Sequence, residues 1–153
     1  EEIWSVTRQG DSVMLATWHT LPDLAEESAL VTRWTELREV RAEVTKAMEA
    51  QREAGKIGSS LQAEVEIRAS GAKYELLTRL EDDLRFVLIC SKTTLVRVDS
   101  ADAEGVAVLP TAHVKCARCW HWREDVGSDT AHPELCGRCV SNLHGDGEAR
   151  QFA

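Results

Sequence analysis

The chain has 153 residues, 43% of them hydrophobic and 29% charged, and its formal net charge is −8. These values are typical of a globular protein with enough chain for one ordinary domain or two small ones. Proteins that mainly bind nucleic acid are usually basic, whereas this chain is acidic. Any nucleic-acid binding by this chain alone should therefore be weak and salt-dependent. The longest apolar run, Phe86–Cys90, is too short to cross a bilayer, and the chain opens without a basic-then-apolar signal segment.

The first 27 residues read as the end of a larger unit, because isolated apolar positions occur there without a complete element around them. Leu21-Pro22-Asp23 predicts a chain break, with Asp23 as a candidate N-cap and Glu26 three residues later. A long helix is predicted from Ser28 to Ala54, with Gly55 in the position that ends helices. Its apolar stripe consists of Leu30, Trp34, Leu37, Val44 and Met48.

The segment after this helix predicts a small unit of mixed secondary structure. Ala63–Ala69 alternates apolar and charged residues, as a half-buried strand does. A short helix is predicted over Ala72–Leu84, a fully buried strand over Phe86–Cys90, and further strands over Thr94–Val98 and Val106–Leu109. The predicted fold class is therefore α+β: a long amphipathic helix and a small α/β unit, followed by a zinc-ribbon or knuckle module with four cysteines.

Four cysteines near the end of the chain form two Cys-x-x-Cys pairs. Cys116 and Cys119 are separated by sixteen residues from Cys136 and Cys139. Each pair forms a tight turn that can place two thiolates on one metal ion, and the spacing is typical of zinc sites. Four thiolates leave no open coordination position, so the sequence predicts one structural Zn²⁺. Paired thiols that hold metal, in a chain without a signal peptide, predict a reduced, cytoplasmic environment.

Other candidate ligands and reactive groups are weaker. His113 lies three residues before Cys116 and could replace a cysteine as a ligand, whereas His121 and His132 are expected at the surface or beside the site. Cys90 is expected to be a core residue, because it ends an apolar run. No nucleophile–base arrangement or phosphate-binding glycine loop stands out, so no catalytic residue is predicted.

Trp120-His121-Trp122 follows the first cysteine pair and has two interpretations. One indole could cover the metal site and the small core of the module. Alternatively, the indoles could stack on unpaired bases, with nearby arginines close to phosphates. These arginines are Arg118, Arg123 and Arg138.

Several motifs of this chain resemble the C-terminal region of bacterial isoleucyl-tRNA synthetases. The most specific lie in the cysteine-rich tail: Lys115–Trp122, Leu135–Asn142, Gly145–Glu148 and Arg150–Ala153. Less specific matches precede them: Glu2–Trp4, Trp34 with Val40–Val44, Ile57–Leu61 and Leu84–Leu88. The resemblance covers essentially the whole chain.

This resemblance implies a class I ligase that activates isoleucine with ATP and transfers it to the 3′ end of its tRNA. The C-terminal region of that family follows a helical anticodon-binding domain and helps to hold the tRNA. Residues 1–27 would then end the anticodon-binding domain, residues 28–112 would form an α+β subdomain, and residues 113–153 would form the zinc module. The zinc ligands of the family correspond to Cys116, Cys119, Cys136 and Cys139.

The chain departs from the family in lacking both signatures that surround ATP. None of its histidines begins a His-x-Gly-His motif. Lys56-Ile-Gly-Ser-Ser is only superficially similar to the Lys-Met-Ser-Lys-Ser motif. We therefore expect a fragment without catalytic activity of its own, which is monomeric, does not bind membranes, and acts with tRNA(Ile) and the rest of the synthetase. The expected tRNA contacts are Lys115, Arg118, Trp120, Trp122 and Arg138.

Two alternatives use the same cysteine pattern. A formamidopyrimidine-type DNA glycosylase ends in a similar zinc finger, but that family uses an N-terminal proline for catalysis, whereas this chain starts with Glu1 and is acidic. A free-standing zinc-ribbon adaptor for protein partners is the other alternative.

Overall fold

The structure is a computed structural model that describes residues 2–7, 12–23 and 25–148. The chain divides into two compact units, residues 1–31 and 32–153. The first unit contains helix α1 (Glu2–Thr7) and a short 3₁₀ turn at Val13–Leu15, where the Ser12 hydroxyl accepts a hydrogen bond from the Met14 amide at 3.1 Å. The sequence had predicted no complete element there. Residues 150–153, which contribute to the resemblance, lie outside the described residues.

The long predicted helix is confirmed as α2 (Glu27–Glu53). It begins four residues after Asp23, so Asp23 is not its N-cap. At the other end, Gly55 has a φ of 69°, and the amides of Gly55 and Lys56 donate to the carbonyls of Arg52 and Gln51 at 2.9 Å each. This pattern is a Schellman motif, which satisfies the last carbonyls of the helix and favours glycine at its left-handed position.

The apolar stripe of α2 is shifted from its predicted position. Its buried residues are Leu37, Val40, Val44 and Met48. Val40 was missing from the prediction, while the predicted members Leu30 and Trp34 are 36% and 40% exposed. The C-terminal half of the helix therefore contributes to the main core, which it shares with strand β1 (Ala63–Ala69) and helices α3 (Gly71–Thr78) and α4 (Leu84–Leu88).

The main sheet has three strands in the order β2-β1-β3. The central strand β1 (Ala63–Ala69) pairs in parallel with β2 (Lys92–Arg97) and antiparallel with β3 (Gly105–Pro110). Its alternation predicts one buried face, and Ala63, Val65, Ile67 and Ala69 are all buried. The strands predicted here are confirmed within two residues at each end, and the parallel pair is joined by helices α3 (Gly71–Thr78) and α4 (Leu84–Leu88).

The strand predicted over Phe86–Cys90 is wrong, because most of this segment belongs to helix α4. The helix ends at Leu88, and Ile89 then adopts a left-handed conformation with a φ of 55°. A short apolar run has no alternation that separates a buried strand from a buried helical turn. The helix predicted over Ala72–Leu84 is interrupted, since α3 stops at Thr78 and a 3₁₀ turn occupies Glu81–Asp83. Cys90 is fully buried in the main core, as predicted.

Beyond the sheet, the chain forms a small module from strands β4 (Val114–Lys115) and β5 (Trp122–Arg123) and helix α5 (Gly137–His144). Ser91 connects this module to the main sheet. Its buried hydroxyl donates to the Leu61 carbonyl and accepts from the Trp122 amide at 2.7 Å. Phe86 and His121 add an edge-to-face contact with ring centroids 5.7 Å apart. Among the described residues, no helix is long and apolar enough to span a membrane.

We predict that Ser91→Ala lowers the free energy of unfolding by about 1–3 kcal/mol, because it leaves the part-buried Trp122 amide and the part-buried Leu61 carbonyl without their partner. Urea denaturation followed by circular dichroism measures this change. Ser59→Ala is the matched control, since Ser59 is exposed and its side chain makes no capping hydrogen bond. Equal stability of the two variants would contradict the linking role of Ser91.

Candidate metal centre

The first cysteine pair lies in the turn between β4 and β5. The Cys116 amide donates to the His121 carbonyl at 2.9 Å, and the Trp120 amide donates back to the Cys116 carbonyl at 3.0 Å. To close this turn, Trp120 adopts a left-handed conformation with a φ of 65°. The backbone thus fixes Cys116 and Cys119 on the same side of the turn.

The second pair lies at the start of α5. Cys136 is the N-cap residue of this helix, and Cys139 lies in its first turn. Asp125 holds the helix start, because its carboxylate accepts from the Gly137 amide at 3.0 Å. The Cys136 amide donates to the Cys116 Sγ at 3.4 Å, so the two pairs are joined directly.

The four Sγ atoms all lie within 4.8 Å of one another. A tetrahedral zinc with Zn–S bonds of about 2.3 Å requires sulfur–sulfur separations of about 3.8 Å. The Sγ atoms of Cys119 and Cys136 are 3.7 Å apart, which matches the sulfur–sulfur separation of a tetrahedral zinc site. This distance is far longer than the roughly 2.05 Å of a disulfide bond. The cluster therefore fits one zinc ion held by Cys116, Cys119, Cys136 and Cys139.

Within the described part of the chain, no histidine or carboxylate joins these four thiols. His113 instead has its Nε2 atom 3.5 Å from Glu64 Oε1. A bound zinc would supply four metal–sulfur bonds and no open position for substrate or water, which makes the site structural and not catalytic.

The four thiols differ in how readily they lose a proton. Burial acts to raise the pKa of Cys119, but hydrogen bonds from His121 and the nearby Arg138 outweigh it and lower that pKa to about 5. Burial raises the pKa of Cys136 to about 12, and the charge on Cys119 adds to this effect. Zinc binding must displace the remaining protons, so zinc affinity falls as the solution becomes more acidic.

Two of the five residues expected to contact tRNA form an exposed pair on the first turn. The Trp120 side chain is 60% exposed, and the Lys115 Nζ atom lies 5.2 Å from the centre of its ring. Trp122 is half-buried, and its amide is bound to Ser91. Neither indole belongs to the cluster of described residues packed around the cysteines, which contains Leu135, Val126 and Val140.

The two remaining candidates, Arg118 and Arg138, are engaged within the module. The Arg118 Nη1 atom donates to Cys139 Sγ at 3.7 Å. The Arg138 Nη1 atom donates to Glu148 Oε1 at 3.1 Å, and its guanidinium lies 5.1 Å from the centre of the Phe86 ring.

The sequence analysis did not anticipate the buried Arg85, which lies beside the Phe86 ring that Arg138 also contacts. Arg85 is only 6% exposed, pairs with Asp82, and lies 4.5 Å from the centre of the Phe86 ring. Burial lowers the pKa of Arg85, and the nearby Arg123 and Arg138 lower it further. The available signal in the sequence was an arginine directly before the apolar run Phe86–Cys90, but this signal did not show that Arg85 pairs with Asp82.

Comparisons with known proteins agree with this geometry. Residues 115–142 match the family described as the zinc finger found in FPG and IleRS. The whole chain is 59% identical to an isoleucine–tRNA ligase of Dechloromonas aromatica, 56% identical to one of Aromatoleum aromaticum, and 54% identical to one of Paraburkholderia phymatum. It spans only 16% of the length of each of these relatives.

The matched part of these ligases is their C-terminal, zinc-finger region. The resemblance found in the sequence motifs is therefore confirmed, as are the mixed fold class and the single structural zinc. The DNA glycosylase alternative is not favoured, because these relatives match the chain from end to end and not only over the finger.

We predict that chelation of zinc unfolds the module over residues 114–144 and leaves α2 folded. The module has little apolar core without the metal, whereas α2 contributes to the main core. Hydrogen–deuterium exchange before and after chelation should show protection lost from peptides of the module and retained over Leu37–Met48. Protection that persists across the module after complete zinc removal would contradict this account.

Proposed function

We propose that this chain is the C-terminal, tRNA-binding portion of an isoleucine–tRNA ligase, and that the zinc module presents a contact for tRNA. The observation that carries the proposal is the exposed Lys115–Trp120 pair, held on a zinc-binding turn whose sequence is similar to that of these ligases. ATP-dependent attachment of isoleucine would be the activity of the whole enzyme. The chain itself contains neither signature of the catalytic site, and we expect it to form no isoleucyl-adenylate.

The chemistry of the pair suits an unpaired nucleotide. An exposed indole offers a flat face on which a base can stack, and the adjacent ammonium can reach a phosphate. The rest of the chain is acidic, so its overall affinity for tRNA should be low. A local cation beside an aromatic ring would then orient the tRNA and contribute only part of the binding free energy. The remaining affinity would come from other parts of the enzyme.

The backbone at Trp120 supports a functional role for this side chain. A non-glycine residue in the left-handed region costs about 1–2 kcal/mol, and glycine would satisfy the same turn without that strain. Burial of the indole does not offset the cost, because the side chain is 60% exposed. Strain retained at an exposed aromatic residue is typical of binding sites.

The other three expected contacts belong to the same zinc module. Trp122 is half-buried and lies on strand β5, two residues after Trp120. Arg118 is exposed and follows the first cysteine, whereas Arg138 is held by Glu148. We propose that Lys115 and Trp120 make the direct contact, and that Trp122, Arg118 and Arg138 form its border.

We predict that Trp120→Ala, made in a full-length synthetase that carries this region, weakens binding of tRNA(Ile) about tenfold at fixed salt, because stacking of one base on an aromatic ring contributes about 1–3 kcal/mol. Trp120→Phe should keep most of the affinity. Fluorescence anisotropy with labelled tRNA measures both. An affinity that stays unchanged in the alanine variant would place the contact elsewhere.

A glycine at the same position separates binding from stability. Trp120→Gly should weaken tRNA binding as the alanine variant does, while the free energy of unfolding stays unchanged or rises by up to about 1 kcal/mol as the backbone strain is relieved. Thermal unfolding of the zinc-loaded chain measures the second effect. A clear loss of stability would show that the indole is structural, and would argue against the proposed role.

Lys115→Gln should lower tRNA affinity and also reduce its dependence on salt, since one fewer phosphate contact releases about one fewer counterion. Lys92→Gln is the matched control, because Lys92 is an exposed lysine on strand β2, outside the zinc module. Equal effects of the two substitutions would indicate a general loss of charge and no specific contact.

A further inference from the structure

The two cysteine pairs share the pattern Cys-x-Arg-Cys, and the arginine of the first pair reaches the second pair. The Arg118 Nη1 atom donates to Cys139 Sγ at 3.7 Å. Burial acts to lower the pKa of Arg138, but its neighbours Cys119 and Glu148 raise it. An arginine from each turn therefore lies near the sulfurs, and Arg118 makes the direct hydrogen bond to one of them.

The negative charge of the zinc site explains why arginines lie next to the cysteines. Four thiolates and one Zn²⁺ leave two negative charges. Cys116, Cys136 and Cys139 are at most 1% exposed, so water offers little stabilisation of that charge. The two guanidinium groups bring positive charge to this cluster, and an N–H group of Arg118 makes a charge-assisted hydrogen bond to Cys139 Sγ.

The remaining donors complete the same pattern. The Cys136 amide donates to Cys116 Sγ at 3.4 Å, so Cys116 and Cys139 each accept a hydrogen bond from the opposite turn. Arg138 also contacts Glu148 and the face of Phe86. Its position is therefore set by several contacts, whereas the Arg118 side chain is exposed.

We propose that Arg118 and Arg138 are positioning residues of the zinc centre, which hold the metal by neutralising the tetrathiolate and by making its sulfurs weaker nucleophiles. This role goes beyond tRNA binding and does not depend on it. A thiolate whose lone pair accepts a hydrogen bond attacks electrophiles more slowly, so these arginines should slow the loss of zinc to alkylating reagents.

Arg118 provides the cleaner test, because it is exposed and donates directly to a cysteine sulfur, whereas Arg138 is also bound to Glu148. We predict that Arg118→Gln in the zinc-loaded chain speeds zinc release by N-ethylmaleimide about tenfold, in line with the effect of losing a group that supports metal ligands. A chromogenic zinc chelator follows release in real time. Arg118→Lys, which keeps the charge and an N–H donor, should release zinc at a rate closer to that of the unaltered chain.

Lys115→Gln is the matched control, because it removes the same charge from the same module and the Lys115 ammonium lies over the Trp120 ring. Circular dichroism and thermal unfolding establish that each variant is folded before alkylation. Release from Arg118→Gln within twofold of the unaltered chain would overturn the proposal. Equal acceleration by the Lys115 and Arg118 variants would also overturn it, since a general loss of positive charge would then account for the effect.

Discussion

The zinc module depends on the bonds between four thiolates and one metal ion. Among its described residues, Leu135 is the one buried apolar side chain added to the three buried cysteines, and Val126 and Val140 are partly buried. Burying one leucine contributes about 1.5–3 kcal/mol, whereas zinc binding to four-ligand peptides of this kind contributes about 10–16 kcal/mol at neutral pH. The metal therefore takes the place of a hydrophobic core, and the short hairpin β4–β5 and the eight-residue helix α5 are ordered around it.

This constraint explains how the module can expose an aromatic ring. A turn closed by metal–sulfur bonds can tolerate a strained residue that a turn of marginal stability could not. Trp120 occupies that strained position, and Lys115 lies over its ring. The main α+β core contributes in a different way. It anchors the module through Ser91 and Phe86, so the exposed pair has a defined position on a folded body.

The cysteine spacing made the metal site predictable, because the geometry of two Cys-x-x-Cys turns requires no information about the rest of the fold. Helix α2 and strand β1 were also predictable, since each carries a periodic pattern over seven residues or more. The strand prediction for Phe86–Cys90 failed for the opposite reason, because five consecutive apolar residues carry no periodic pattern. The left-handed conformation of Ile89 also depends on packing that the sequence does not display. The partners of Arg118 and Arg138 were equally hidden, because Cys139 and Glu148 lie 21 and 10 residues away in the chain.

The four-cysteine centre is tested most directly by identifying the atoms that bind the metal. X-ray absorption at the zinc edge of the purified, zinc-loaded chain gives the type, the number and the distance of the atoms bound to the metal. Four sulfurs at about 2.3 Å, with one zinc per chain, are the expected result. A nitrogen in place of one sulfur, which would bring His113 or another histidine into the site, would contradict the four-cysteine centre on which the module depends.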